Sequence, residues 1–210
     1  MQFALRNTTR LLAGAGMAMS LMFTAACDDD DEDPIEPPVA TVLSITSGDN
    51  QTIAVSTTGS PMTVTLLDQN GEKVKLSDHA GHPVLVYFYP KADTPGCTTQ
   101  ACGIRDRRAE YDAAGAVVFG VSPDEPSALR KFADKHGLDF TLLADPNHAV
   151  AEAYGAWGER SMYGKRFMGI VRSTVIVGPD GKIARHFPKV TPKTHDDTIL
   201  KALGDLAADG

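Results

Sequence analysis

From about residue 58 the apolar positions fall into a regular succession of short runs and helical stripes. Val64-Thr-Leu-Leu67 and Lys73-Val-Lys-Leu76 flank Asn70-Gly71, and both turn residues tolerate positive φ, so the segment predicts a β-hairpin. Val84 to Tyr89 (VLVYFY) is continuously apolar, as a strand covered on both faces must be. A helix is expected from about Thr98 to Ala113, with Gly115 as its stop. Val117 to Val121 reads as another apolar strand. Asp124-Glu125-Pro126 then opens a helix whose inner stripe is Leu129, Phe132 and Ala133 and whose end is Gly137. A short strand near Leu142 leads to a helix across Ala149 to Tyr154. Arg172 to Val177 and Lys182 to Phe187 flank Gly178-Pro-Asp-Gly181, a second hairpin, and a last helix runs from about His195 to Leu206. Strands alternating with helices and closing on a hairpin predict an α/β fold with helices on both faces of one sheet.

The first 57 residues follow different rules. Residues 1–10 hold two arginines and no acid, and Leu11 to Phe23 is an apolar run of 13 residues. That run is short for a bilayer span and has the proportions of a secretory signal. Thr24-Ala25-Ala26 supplies the small residues that a signal peptidase requires, and Cys27 follows at once, so the segment resembles a bacterial lipobox. The resemblance implies export, diacylation of Cys27 and anchorage in the bacterial cell envelope, facing the periplasm or the exterior. Asp28 to Asp33 is unbroken acid, with Pro34, Pro37 and Pro38 behind it. Like charges repel and prolines stiffen, so residues from Cys27 onward read as an extended, solvated tether. Residues 39–57 contain β-branched residues and a turn signal at Gly48-Asp49, with no assignable role. The domain division is therefore 1–26 signal, 27–57 tether and unassigned segment, 58–210 folded domain.

Charge changes the picture only by exclusion. Seven acidic residues lie between Asp28 and Glu36, as many as the whole net charge of −7. The acidity belongs to the tether, and the net negative charge argues against a nucleic-acid surface, since phosphate contacts need an extended basic face.

Of three cysteines, Cys27 stands at the export segment, while Cys97 and Cys102 sit together in the folded region. Cys97 follows a central strand and opens the next helix, where folds of this class place their chemistry. A thiol there meets free N–H groups and the positive end of the helix dipole, which favour thiolate. Cys102 lies five positions on. In a regular helix that is a rise of about 7.5 Å and a rotation of about 500°, beyond the roughly 7 Å Cα limit for a disulfide. A bond between them requires the first turns to unwind, which suits a redox pair better than a structural bridge. The pair lacks the partner ligands of a zinc site, the histidines are scattered, and the CxxC of dithiol exchangers is absent.

Pro90-Lys-Ala-Asp-Thr94-Pro-Gly-Cys97 matches the peroxiredoxin pattern of Pro, three residues, Thr or Ser, two residues, Cys. The longer string YFYPKADTPGCTTQACGIRD, together with LADPNHAVAEAYGAWGE and the closing hairpin, resembles the bacterioferritin comigratory protein or peroxiredoxin Q subgroup over roughly residues 58–206. The resemblance implies a thioredoxin-like fold with a central mixed sheet. It makes Cys97 the peroxidatic cysteine and Cys102 the resolving one. Thr94 would hydrogen-bond thiolate and peroxide, Pro90 would shield the thiolate from water, and Arg172 would hold a guanidinium beside it. The implied cycle runs from thiolate through sulfenic acid to a Cys97–Cys102 disulfide, which a thioredoxin-like dithiol reduces. It calls for no metal or organic cofactor, and for a monomer. Trp157 resembles the family as a packing residue. The family's usual members are cytosolic, and export separates this site from cytosolic thioredoxin, leaving the donor open. Two other readings stand beside this one: an exported thiol–disulfide oxidoreductase, and a non-catalytic envelope lipoprotein with a structural disulfide.

Overall fold

The computed structural model describes residues 43–46, 52–55, 63–162 and 164–208. The export segment 1–26, Cys27 and the acidic run lie outside the described residues.

The main sheet is built around VLVYF. Strand β5 (Val84–Phe88) is buried at every position, as its unbroken apolar character requires. It runs parallel to β6 (Val117–Ser122), which runs parallel to β7 (Thr141–Ala144). Antiparallel strands flank this centre. On one side β10 (Ser173–Val177) pairs with β5 and with β11 (Ile183–Phe187). On the other, β3 (Thr63–Asp68) pairs with β7 and with β4 (Lys73–Lys75). Its turn follows the Asn70-Gly71 reading, with Gly71 at φ 82°, and the Asp68 carboxylate accepts the N–H groups of Asn70 and Glu72 at 2.8 Å each. Segment 39–57, given no role from sequence, supplies β1 (Leu43–Thr46) and β2 (Thr52–Val55), and β2 pairs with β3.

Alternation along β5 divides the core in two. Val84, Val86 and Phe88 face one cluster with Val64, Leu66, Val175 and Tyr154. Leu85 and Tyr87 face the other, with Ile104, Tyr111, Leu129, Phe132, Ile199 and Leu203. The second face carries helices α1 (Pro95–Asp106), α2 (Arg108–Ala113), α3 (Pro126–His136) and α5 (His195–Ala208). The first carries the short α4 (Ala149–Ala153) and residues of a separate hairpin, β8 (Trp157–Met162) with β9 (Lys165–Ile170). Helices thus lie on both faces of a mixed sheet, the thioredoxin-like arrangement. In α3 the stripe Leu129, Phe132, Ala133 is buried and Gly137 closes the helix at φ 59°.

Two boundaries differ from expectation. The helix expected from Thr98 begins at Pro95, because a proline at the first helical position lacks only an N–H that would be unpaired anyway. It also breaks at Arg107, and α2 restarts at Arg108 and carries Tyr111 fully into the core.

Candidate active site

The site forms where the parallel strands end at their carboxyl edge. Residues 90–94 carry the chain from β5 to α1, and three contacts hold them. The Ala92 N–H donates to Asp124 Oδ2 at 2.6 Å, and Ser122 Oγ donates to the same oxygen at 2.9 Å. Asp93, at φ 57°, occupies a left-handed conformation that Asp tolerates better than most residues. Its carboxylate pairs with Lys135 at 2.7 Å and His136 at 2.9 Å, the last residues of α3. Those partners hold the Asp93 carboxyl below its usual range.

Thr94 then caps α1 in extended conformation, its carbonyl accepting the Thr98 N–H at 2.8 Å. Cys97 is the third helical residue and is 1% exposed. Its own N–H belongs to the first turn, where amides have no intrahelical partner and the helix dipole is positive.

Arg172 arrives from across the sheet, one residue before β10. Its Nη2 donates to Cys97 Sγ at 3.2 Å, while Nη1 donates to Gln100 Oε1. A Cβ on Gly96 would lie 3.5 Å from Arg172 Nη2 and 3.6 Å from Pro192 Cγ, so the guanidinium lies directly over the first turn. The Arg172 carbonyl accepts the Val190 N–H at 3.0 Å, which fixes the other end of the residue. A fixed cation donating to a buried sulfur stabilises negative charge on that sulfur and on an atom bonded to it.

The remaining predicted residues take the following places. The Thr94 hydroxyl, expected to reach the thiolate, donates instead to the Lys91 carbonyl at 2.9 Å and so closes the loop before the helix. Pro90 is half-buried and, with Thr94, lines a groove of about 490 Å³ whose walls include Trp157, Phe167, Met168 and Ile170, with Lys91 and Arg160 also lining it. Cys102 is half-buried on the same uninterrupted helix as Cys97, and both thiols are free. Trp157 packs against the first core cluster and lies against the His148 ring, tilted by 31° with ring centres 3.8 Å apart.

Sequence reasoning missed Gln100, fully buried and holding the guanidinium, because a glutamine within a helix carries no motif signal. It also missed Asp124 and Asp93, whose partners lie far along the chain. Tyr87, beneath the site, has a hydroxyl pushed far above its ordinary range by burial and by neighbouring Tyr89 and Cys97. It stays neutral.

Comparison with known proteins agrees over the folded region. The family model described as AhpC/TSA matches residues 59–186. Peroxiredoxin Bcp of Escherichia coli is 49% identical over 142 residues, covering 68% of this chain and 91% of that protein. Peroxiredoxin Bcp of Bacillus subtilis is 43% identical over 142 residues, covering 68% and 90%. Among solved structures, the bacterioferritin comigratory protein of Xanthomonas campestris, studied for alkyl peroxide reduction, superposes with a TM-score of 0.65 at 38% identity, over 68% of this chain and 91% of that one.

Proposed function

The chain belongs to the AhpC/TSA family as a peroxiredoxin of the bacterioferritin comigratory protein subgroup, a thiol peroxidase, and from that premise we propose that Cys97 is the nucleophile and Cys102 its resolving partner. The observation that carries this reading is the Arg172 guanidinium held between Cys97 Sγ and Gln100. Cys97 thiolate attacks one peroxide oxygen, the O–O bond breaks, and the other oxygen leaves as alkoxide or hydroxide and takes a proton. Arg172 faces the charge that develops there, where a fixed donor acts more strongly on the transition state than on the ground state. The Thr94 hydroxyl, by rotating from the Lys91 carbonyl, donates to the incoming peroxide. Pro90 keeps water off the sulfur. Cys97 sulfenic acid then condenses with the Cys102 thiol, releasing water and forming the disulfide, and a thioredoxin-like dithiol returns both thiols by exchange.

Hydrogen peroxide and organic hydroperoxides are both substrates in this account. The apolar groove beside Pro90 and Thr94 supports the second class, as does the alkyl peroxide reduction studied in the Xanthomonas campestris relative. The working unit is a monomer. Export and lipidation at Cys27 rest on the charged start, the apolar run and the small residues before that cysteine. Mass spectrometry of the native mature N-terminus tests them: a diacylglyceryl-modified Cys27 is expected, and an unmodified chain from Met1 contradicts both. The peroxidase reading is tested by stopped-flow kinetics with several peroxides on wild type and Cys97→Ser. Substantial turnover in the variant would contradict it.

A further inference from the structure

The β8–β9 hairpin pairs with itself and not with the main sheet. Lys165, Arg166, Phe167 and Met168 are exposed in succession along β9. Phe167 and Met168 are 44% and 56% exposed, the highest values for large apolar side chains among the described residues. The ring of Phe167 approaches to 3.2 Å of the position a Cβ on Gly169 would take, so it lies down along its own strand over a residue without a side chain. Around this apolar pair stand cations. Lys165 and Arg166 precede it, Arg160 pairs with Phe167 across the ladder and donates to the Ile170 carbonyl, and exposed Lys91 also lines the groove. The acid in the hairpin is Glu159, 3.3 Å from Arg166. A chain with a net charge of −7 thus presents a locally cationic, apolar edge.

We propose that this hairpin docks on the surface of an anionic lipid bilayer, seating Phe167 and Met168 at the acyl boundary while Lys165 and Arg166 reach the lipid phosphates. Charge complementarity selects the partner: apolar side chains interleaved with long cations are what an anionic interface takes up, since the aliphatic stems remain beside the apolar groups while the charges reach outward. The groove opens between the same apolar side chains and is lined by Phe167, Met168, Trp157 and Ile170, walls that suit an acyl chain. An acidic protein surface would meet the cations but would leave that apolar lining without a counterpart.

An apolar run such as 11–23 partitions into bilayers independently of any hairpin, so the readout must sit on the hairpin. Trp157 is the single tryptophan of the chain. In the full chain, Trp157→Phe with Phe167→Trp moves the indole to the docking edge, and Trp157→Phe with Met168→Trp gives a second probe, each checked for fold by circular dichroism. Vesicles of equimolar phosphatidylcholine and phosphatidylglycerol carry acyl chains brominated near the headgroup. The indole should be quenched at least about twofold on these vesicles and little on phosphatidylcholine alone. Lys165→Glu with Arg166→Glu should weaken the quenching titration at least about tenfold, since each cation at an anionic surface contributes roughly fivefold. An indole left unquenched in both probes, or quenching indifferent to lipid charge and to the charge reversal, overturns the proposal. Peroxide turnover plays no part in this test, so its outcome is separate from the peroxidase reading.

Discussion

The two ends of helix α1 are attached to the protein in different ways. The front, Pro95 to Cys102, buries Cys97, Gln100 and Ala101, and its polar tie runs through the groups proposed to react: Arg172 donates to Cys97 Sγ and is held by Gln100. The back is joined through groups that take no part in the chemistry. Gly103 lies so close to Asp196 that a Cβ there would meet its Oδ2 at 2.3 Å, and Ile104 is fully buried. Tyr111 donates to Asp196 Oδ1 at 2.7 Å, Arg107 pairs with Glu110 and Asp197, and Arg105 donates to the His136 carbonyl. At the start of α5, the buried His195 ring lies 3.0 Å from the Thr174 hydroxyl, tying that helix to β10. Cys102 stands at the border, one residue before Gly103. The contrast teaches where the helix can open. In the proposed cycle, oxidation at Cys97 alters the sulfur to which Arg172 donates, while the contacts at the back are left as they are. Opening a helical residue gives up a net hydrogen bond of about 0.5–1.5 kcal/mol and recovers backbone entropy of about 1–2 kcal/mol. These terms are of one size, so a covalent bond between the two sulfurs can tip the balance at the front alone.

Substitutions at the two ends should therefore separate chemistry from stability. The largest effect is expected for Cys97→Ser, which should abolish peroxide turnover while thermal unfolding moves little. Next is Gly103→Ala at the back. Its methyl must displace a buried carboxylate already held by Tyr111, at a cost of about 1–3 kcal/mol in denaturant unfolding, with the peroxide step unchanged. A smaller effect is expected for Arg172→Met: a slowing of the peroxide step by at least about tenfold, or roughly 1.4 kcal/mol of barrier, read by stopped flow. An unchanged second-order rate would make Arg172 an ordinary structural residue. The smallest should be Gln100→Leu. This change removes an acceptor from the guanidinium but keeps the buried volume, and it should slow the same step by about threefold.

What could be read from sequence follows the same physical line. The α3 stripe was legible because the 3.6-residue period and Gly137 agree, and β5 because a strand covered on both faces cannot alternate. The PxxxTxxC string located Cys97, and Arg172 reached the site through the family resemblance. The β8–β9 hairpin was not legible: Lys165 to Met168 are exposed whatever their polarity, so neither period appears. The break at Arg107 has no Gly or Pro to mark it. Gln100, Asp93 and Asp124 matter through partners 72, 42 and 32 positions away, and no local pattern encodes such contacts.

The central claim is that Cys97 and Cys102 cannot bond within the helix they share. Their spacing along α1 implies a rise of about 7.5 Å and opposed directions. Amide hydrogen exchange on the reduced and the disulfide forms tests this most directly. The account predicts faster exchange across 97–102 in the disulfide form, with the back of α1 and α2 from Ile104 to Ala113 protected equally in both. Equal protection across 97–102, with the disulfide confirmed by mass, would contradict it.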